Sequence, residues 1–213
     1  MPKLPRNPSL EQLKALDPDV YTLKPGLTLW RIYFRGGPQP TSWADFRNFG
    51  PLDGRFDHHH QDEHGDPTSQ TRGILYGAEE GATCFAEVFQ RTRVIDRFRR
   101  EPWLVAFEIA TPLTLLDLTG SFATRAGASM ALMTGPRAVA RRWAQTFYEA
   151  YPEVQGVYYP SSMYANAPAI ALNERAVAVG TMPGLPSFHR ALADNALHTV
   201  IRNVAREIGY RVV

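Results

Sequence analysis

Only one cysteine, Cys84, stands in the 213 residues. No intramolecular disulfide is available, which fits a reducing compartment and an expected cytoplasmic location. No apolar run approaches the length needed to span a bilayer, since residues 168–172 and 176–179 are short and interrupted by charge. A basic start followed by an apolar stretch is also lacking, so no secretory signal is expected. Charge of one sign is scarce: 23 Lys and Arg face 21 Asp and Glu, a formal net charge of +2. That balance disfavours a dedicated nucleic-acid coat but permits local basic patches and acidic small-molecule ligands. Neither G-x-G-x-x-G nor G-x-x-x-x-G-K-S/T occurs, so a Rossmann or P-loop nucleotide site has no support. No G-x-S-x-G surrounds a serine, which removes the hydrolase elbow, and no internal repeat is visible.

Present instead are the proportions of an ordinary folded chain, 44% hydrophobic and 21% charged, enough for a core without disulfides or metals. A single domain over residues 25–213 is expected, preceded by an arm over residues 1–24 with at most a short helix at 10–16. Residues 28–34, rich in aromatic and β-branched side chains, read as a strand, and 36–53 as a long connection. Residues 55–70 carry His58, His59, His60 and His64 and read as an exposed polar loop. A strand at 73–76 precedes a helix over about 79–99, in which Phe85 and Phe89 lie one turn apart. Strands follow at 104–109 and 114–117, then an amphipathic helix at 136–148 on the spacing of Val139, Trp143 and Phe147. Three more strands are expected at 154–159, 169–172 and 176–179. Ser187 is expected to cap a last helix that Gly209 ends, with 210–213 returning as a strand. Strands and helices alternate without a βαβ rhythm. The fold class is therefore α+β, a mixed sheet flanked by helices.

Five residues stand out for their type or their place in the chain. Arg31 interrupts an apolar strand, and period-two alternation puts Leu29 and Tyr33 on its face. A guanidinium buried there needs an anion or hydrogen-bond acceptors; on an edge strand it simply faces water. Glu87 lies among Cys84, Phe85, Ala86, Val88 and Phe89, where a carboxylate either enters a cleft or pairs with Arg91 four residues on. Tyr76 closes its strand, as a core aromatic or as a ring that stacks on a heterocycle. Ser161 and Ser162 follow Tyr159-Pro160 at a strand end, a common place for ligand-binding side chains.

The order of these residues says more than any one of them. Arginine in the first strand, then Gly54-Arg55-Phe56, then Ile74-Leu75-Tyr76 with a glutamate on the next helix, then Tyr159-Pro160-Ser161, resembles the RES domain. The family's arginine, glutamate and serine would be Arg31, Glu87 and Ser161, with Arg55 and Tyr76 as the accompanying arginine and tyrosine. The likeness runs from about Leu27 to Val179; Ser162 remains an alternative to Ser161, and a polar insert opens after Phe56. The resemblance implies an ADP-ribosyltransferase-like fold and a toxin that consumes NAD⁺ as substrate, with no other cofactor. It further implies a helix-turn-helix antitoxin of Xre type that binds the toxin and forms an oligomer with it. On that reading Arg31 and Arg55 grip the pyrophosphate, and Glu87 stabilises an oxocarbenium-like ribose. Arg31 also counts as catalytic. Tyr76, Tyr33 and Ser161 or Ser162 contact nicotinamide or ribose.

Alternatives stay open at this point. The acceptor is phosphate or water, or a protein side chain, or the chain binds nucleotide or a partner without turnover. His60 and His64 share one helical face if a helix forms, but Gly65 and Pro67 argue for a loop with no metal, able to act as a lid. Arg91, Arg93, Arg97, Arg99 and Arg100 read as a solvated basic helix end, with a docking surface for an acidic segment, a nucleotide phosphate or nucleic acid as alternatives.

Overall fold

The structure is a computed structural model and describes residues 6–213. In chain order its strands are β1 (Val20–Leu23), β2 (Thr28–Phe34), β3 (Arg47–Gly50), β4 (Thr68–Ala78), β5 (Val94–Ile95), β6 (Pro102–Glu108), β7 (Leu113–Asp117), β8 (Gly156–Pro160), β9 (Pro168–Asn173), β10 (Phe188–Ala191) and β11 (Arg211–Val212). The helices are α1 (Leu10–Lys14), α2 (Gly81–Phe89), α3 (Phe122–Arg125), α4 (Ala131–Thr134), α5 (Arg137–Ala150), α6 (Arg175–Ala178) and α7 (His198–Ile208). Nine strands form one mixed sheet in the order β1-β7-β8-β9-β4-β2-β6-β10, with β3 also on β4. β7 and β8 run parallel, while the other pairs along this sheet are antiparallel. The α+β expectation holds.

Strand alternation sorts the core. Leu29 and Tyr33 of β2, Leu75 of β4, Val105 and Phe107 of β6, and Ile170 and Leu172 of β9 make one apolar face, against which Trp43, Phe46 and Met182 pack. The opposite face carries two helical groups. Around α5, Trp143 and Phe147 pack on Ile74, Tyr159 and Ala171, together with Phe122 and Leu132. Around α2 and α7, Phe85, Phe89 and Ile201 pack on Ile32, Ala78 and Leu104. Burying side chains of this size, at roughly 1.5–3 kcal/mol each, holds both groups on the sheet.

Several expectations change. Residues 10–24 are built into the domain: Leu13 is fully buried and β1 pairs with β7 from Val20↔Leu116 to Leu23↔Leu113; residues 1–5 of the proposed arm lie outside the described residues. The helix expected to reach residue 99 stops at Phe89. Arg93 turns left-handed (φ 51°) and Val94–Ile95 pair with β11, so strand pairing overrides local helix propensity. Residues 175–178 form a helical turn where a strand was expected, opened by the Asn173 side chain accepting from the Arg175 N–H. Ser187 caps no helix. Its hydroxyl donates to the Ala106 carbonyl as β10 pairs with β6, and α7 begins only at His198, after a turn capped by Asp194. Gly209 does end α7, at φ 71°, a left-handed cap that glycine accepts without strain.

The histidine segment departs furthest from expectation. Only His60 and His64 face solvent, whereas Asp57, His58 and His59 are buried. The Asp57 carboxylate accepts from Arg47 Nη2 at 2.6 Å, from the Leu52 N–H at 2.7 Å and from His59 Nδ1 at 2.5 Å. His59 Nε2 reaches the Arg72 carbonyl at 2.9 Å, and the Gln145 side chain of α5 donates to the His59 carbonyl at 2.7 Å. A buried carboxylate with three donors is stable as a network and unstable with any member missing. It fixes both ends of residues 52–57. Among the described residues, no group of three or more His, Cys, Asp or Glu side chains is placed to hold a metal.

Burial alone would raise the Asp57 pKa, but the His59 hydrogen bond and the Arg47 charge outweigh it and hold the group at about 2. A depressed carboxyl stabilises the fold above its unfolded value near 3.8 and loses that contribution as pH falls towards 2. Asp57→Asn is expected to cost roughly 3 kcal/mol at neutral pH and to flatten the acid limb of a stability-versus-pH curve between 4 and 2. Unchanged urea midpoints across that range in both proteins would refute the assignment.

Candidate functional site

β2 pairs with β6 along seven residues, but it meets β4 at a single position, Trp30↔Ala78. Past that point the two strands part, and a cavity of about 360 Å³ lies where they diverge. That size is within the range of small-molecule sites. β2 contributes Arg31, Tyr33 and Phe34, β4 contributes Ile74 and Tyr76, α2 contributes Thr83, Cys84 and Glu87, and the segment before Asp57 contributes Asp53, Gly54 and Arg55. Residues far apart in the chain thus meet at one fault in the sheet.

Arg31 is 6% exposed. Its Nη1 donates to the carbonyls of Trp43 at 2.7 Å and Asp45 at 3.0 Å. Burial lowers its pKa to about 10, which leaves it cationic at neutral pH. Arg55 is held in the same manner, with Nη1 donating to the carbonyls of Leu132 and Gly135 at the end of α4. Burial and the neighbouring Arg137 charge lower its pKa, while Glu87 acts the other way. Among the described residues, neither guanidinium is within ion-pair distance of a carboxylate. Each is fixed by neutral acceptors and keeps its charge for whatever enters the cavity.

Glu87 sits in the last turn of α2, half-buried, and is pinned at both carboxylate oxygens. Ser161 Oγ donates to Oε1 at 2.5 Å and Gln90 Nε2 to Oε2 at 3.0 Å. Gln90, rather than Arg91, is therefore its partner along the chain. The two candidate serines separate cleanly in position: Ser161 is fully buried behind Glu87 and also accepts from the Met163 N–H, whereas Ser162 is exposed. Ser161 is not among the cavity-lining residues, so in this geometry it orients the carboxylate.

Tyr76 lines the cavity with its hydroxyl buried and unpartnered, and burial drives its pKa well above the ordinary phenol value. Gly54 lies against it. A Cβ on Gly54 would sit 2.2 Å from the Tyr76 hydroxyl oxygen, so the Gly54-Arg55 segment passes only because that side chain is absent. Tyr33 also lines the cavity, but its hydroxyl already bonds His189 Nε2 at 2.6 Å and accepts from Arg35 Nε.

Sequence reasoning missed other lining residues. Arg47 and Arg137 face the cavity and are neutralised by Asp57 and Asp53. Arg100 stands at the same cavity, and the Thr83 hydroxyl is buried there without a partner. No local pattern marks Arg47, Arg137 or Thr83, whereas Arg100 belongs to the basic stretch for which a nucleotide phosphate stood among the alternatives; the divergence of β2 from β4 brings the four to one cavity. Five arginines against Asp53 and Glu87 make the cavity electropositive, suited to a ligand with more than one phosphate.

The model of the family described as the RES domain matches residues 28–190. No curated protein matches. Among solved structures, the chain is similar to one in the crystal structure of the M. tuberculosis MbcT–MbcA toxin–antitoxin complex. The TM-score is 0.59 at 16% identity, and the match covers 91% of this chain and 96% of that one.

The tight passage of Gly54 over Tyr76 has a measurable consequence. Gly54→Ala is expected to destabilise the protein by about 1–3 kcal/mol, and Tyr76→Phe, by removing the obstructing oxygen, to recover part of that loss in the double variant. If Gly54→Ala melts with the wild type, the close approach is not a constraint.

Proposed function

This chain belongs to the RES-domain family, and we propose that it cleaves NAD⁺ between nicotinamide and ribose as the toxin of a toxin–antitoxin pair. The observation that carries the reading is one carboxylate, Glu87, pinned at both oxygens beside two guanidinium groups without counter-charge, Arg31 and Arg55. A pyrophosphate supplies the missing counter-charge, because guanidinium pairs bidentately with phosphate oxygens. As the C–N bond lengthens, its electron pair leaves with nicotinamide and positive charge grows on the ribose. A carboxylate already oriented towards that charge stabilises it without having to reorganise. Water or phosphate then closes the ring carbon, giving ADP-ribose or its phosphate ester and releasing a proton.

Tyr76 offers a ring on which nicotinamide can stack, and Tyr33 an apolar wall. Ser161 keeps the Glu87 carboxylate aimed, and Ser162, exposed to solvent, takes no part. Transfer to a protein acceptor would use the same site. We further propose an antitoxin partner, in keeping with the toxin–antitoxin complex to which the fold is similar. Among the described residues no helix is long and apolar enough to cross a membrane, and action in the cytoplasm belongs to the proposal.

Purified protein incubated with NAD⁺ is expected to release nicotinamide. Glu87→Gln should lower the rate on the order of a hundredfold or more with an unchanged melting temperature. Retention of the full rate in that variant would falsify the role given to Glu87. Ser161→Ala should lower kcat more than it raises KM, and Ser162→Ala should change neither; the reverse ranking would exchange the serines. Mass spectrometry of a lysate treated with enzyme and NAD⁺ is expected to find no ADP-ribose on protein, and its presence would turn the reading towards a protein acceptor.

A further inference from the structure

The arginines at the cavity differ in how their charge is used. Arg47 and Arg137 are paired with carboxylates, and Arg31 and Arg55 are tethered to carbonyls. Arg100 differs from all four. Its guanidinium lies over the Phe34 ring at 5.3 Å, and among the described residues no carboxylate or hydrogen-bond acceptor engages it.

The backbone that carries it is unusual. Arg100 and Glu101 are consecutive non-glycine residues with φ of 66° and 49°, a conformation that persists only where surrounding contacts impose it. The contacts are present. The Gly36 N–H donates to the Arg100 carbonyl at 3.0 Å and the Arg35 N–H to the Glu101 carbonyl at 3.1 Å. Asp96 accepts from the N–H groups of Phe98 and Arg99. Two glycines then leave room for the side chain: a Cβ on Gly37 would lie 2.7 Å from Arg100 Nε, and one on Gly36 would lie 3.3 Å from the Arg100 backbone. Strained backbone, a glycine cradle and an aromatic shelf together present one exposed, unneutralised guanidinium to the cavity.

We propose that Arg100 is a further binding residue of this site, a ligand for a phosphate group at its mouth. The inference rests on the NAD⁺ reading and deepens it. The phosphate belongs to the dinucleotide's pyrophosphate or is inorganic phosphate serving as acceptor, and the chemistry of recognition is the same. Arg100 touches no reacting bond in this assignment, so its loss weakens binding more than it slows the chemical step.

Calorimetric titration of wild type, Arg100→Gln and Arg100→Lys with ADP-ribose, and separately with inorganic phosphate, tests this. Gln keeps the stem over Phe34, and melting temperatures report whether each variant is folded. Arg100→Gln is expected to bind ADP-ribose about tenfold more weakly, with partial recovery in Arg100→Lys and KM for NAD⁺ raised more than kcat is lowered. Loss confined to inorganic phosphate would support the residue as the acceptor's ligand. Affinity unchanged for both ligands in a folded variant overturns the proposal. A wild type that binds ADP-ribose through Arg100 yet releases no nicotinamide would refute the cleavage reaction and leave this inference standing. A wild type that binds neither ligand sinks both.

Discussion

One incomplete strand pairing governs this molecule. β2 is zipped to β6 over its whole length and to β4 at one residue only. Had the pairing continued in the register of Trp30↔Ala78, Arg31 would lie opposite Gly77 and Ile32 opposite Tyr76 across an ordinary ladder, and no cavity would exist. The parting of the strands leaves backbone donors and acceptors without ladder partners, and such groups need other company. It also places the end of α2, with Glu87, next to the opening, because α2 packs on both strands where they still touch. Core packing on either side holds the fault open: the α5 group grips β4, β8 and β9, and the α2–α7 group grips β2 and β6.

Charge in the cavity is arranged by an economical device. A guanidinium has five donors, and spending one or two on carbonyls fixes its position without cancelling its charge. Arg31 and Arg55 are treated in this way, while Arg47 and Arg137 are neutralised and serve the walls. The Asp57 network supports the arrangement from behind, since it sets the ends of the segment that carries Asp53, Gly54 and Arg55. Preorganisation of this kind is what electrostatic stabilisation of a developing charge requires.

The strands rich in apolar and aromatic side chains, β2, β8 and β9, were legible in the sequence, as were α5 and the Gly209 stop, because local pattern and tertiary role agree there. Arg31 and Glu87 stood out for a related reason, as charged residues in apolar company, and the structure puts both at the same cavity. What escaped was set by contacts distant in sequence. Arg93 turns the chain because β11 awaits Val94 and Ile95, and β10 forms because the edge of β6 is open. The histidine run looked like surface because composition cannot reveal that Arg47 and Arg72, from two other strands, supply the partners that bury it. Arg100 was visible only as one arginine of a basic stretch, because the cradle that singles it out is made by Gly36 and Gly37, far away in the chain.

The tethering of Arg31 has an awkward corollary for anyone dissecting the site by mutation. Its bonds to the Trp43 and Asp45 carbonyls tack the connection between β2 and β3 onto the sheet, where Trp43 and Phe46 cover the far apolar face. An alanine there deletes a brace together with the proposed ligand, so any loss of the proposed activity would report their sum. The residue most easily singled out by eye is thus among the least interpretable to truncate, and its contribution is better isolated by restoring the brace from outside the cavity.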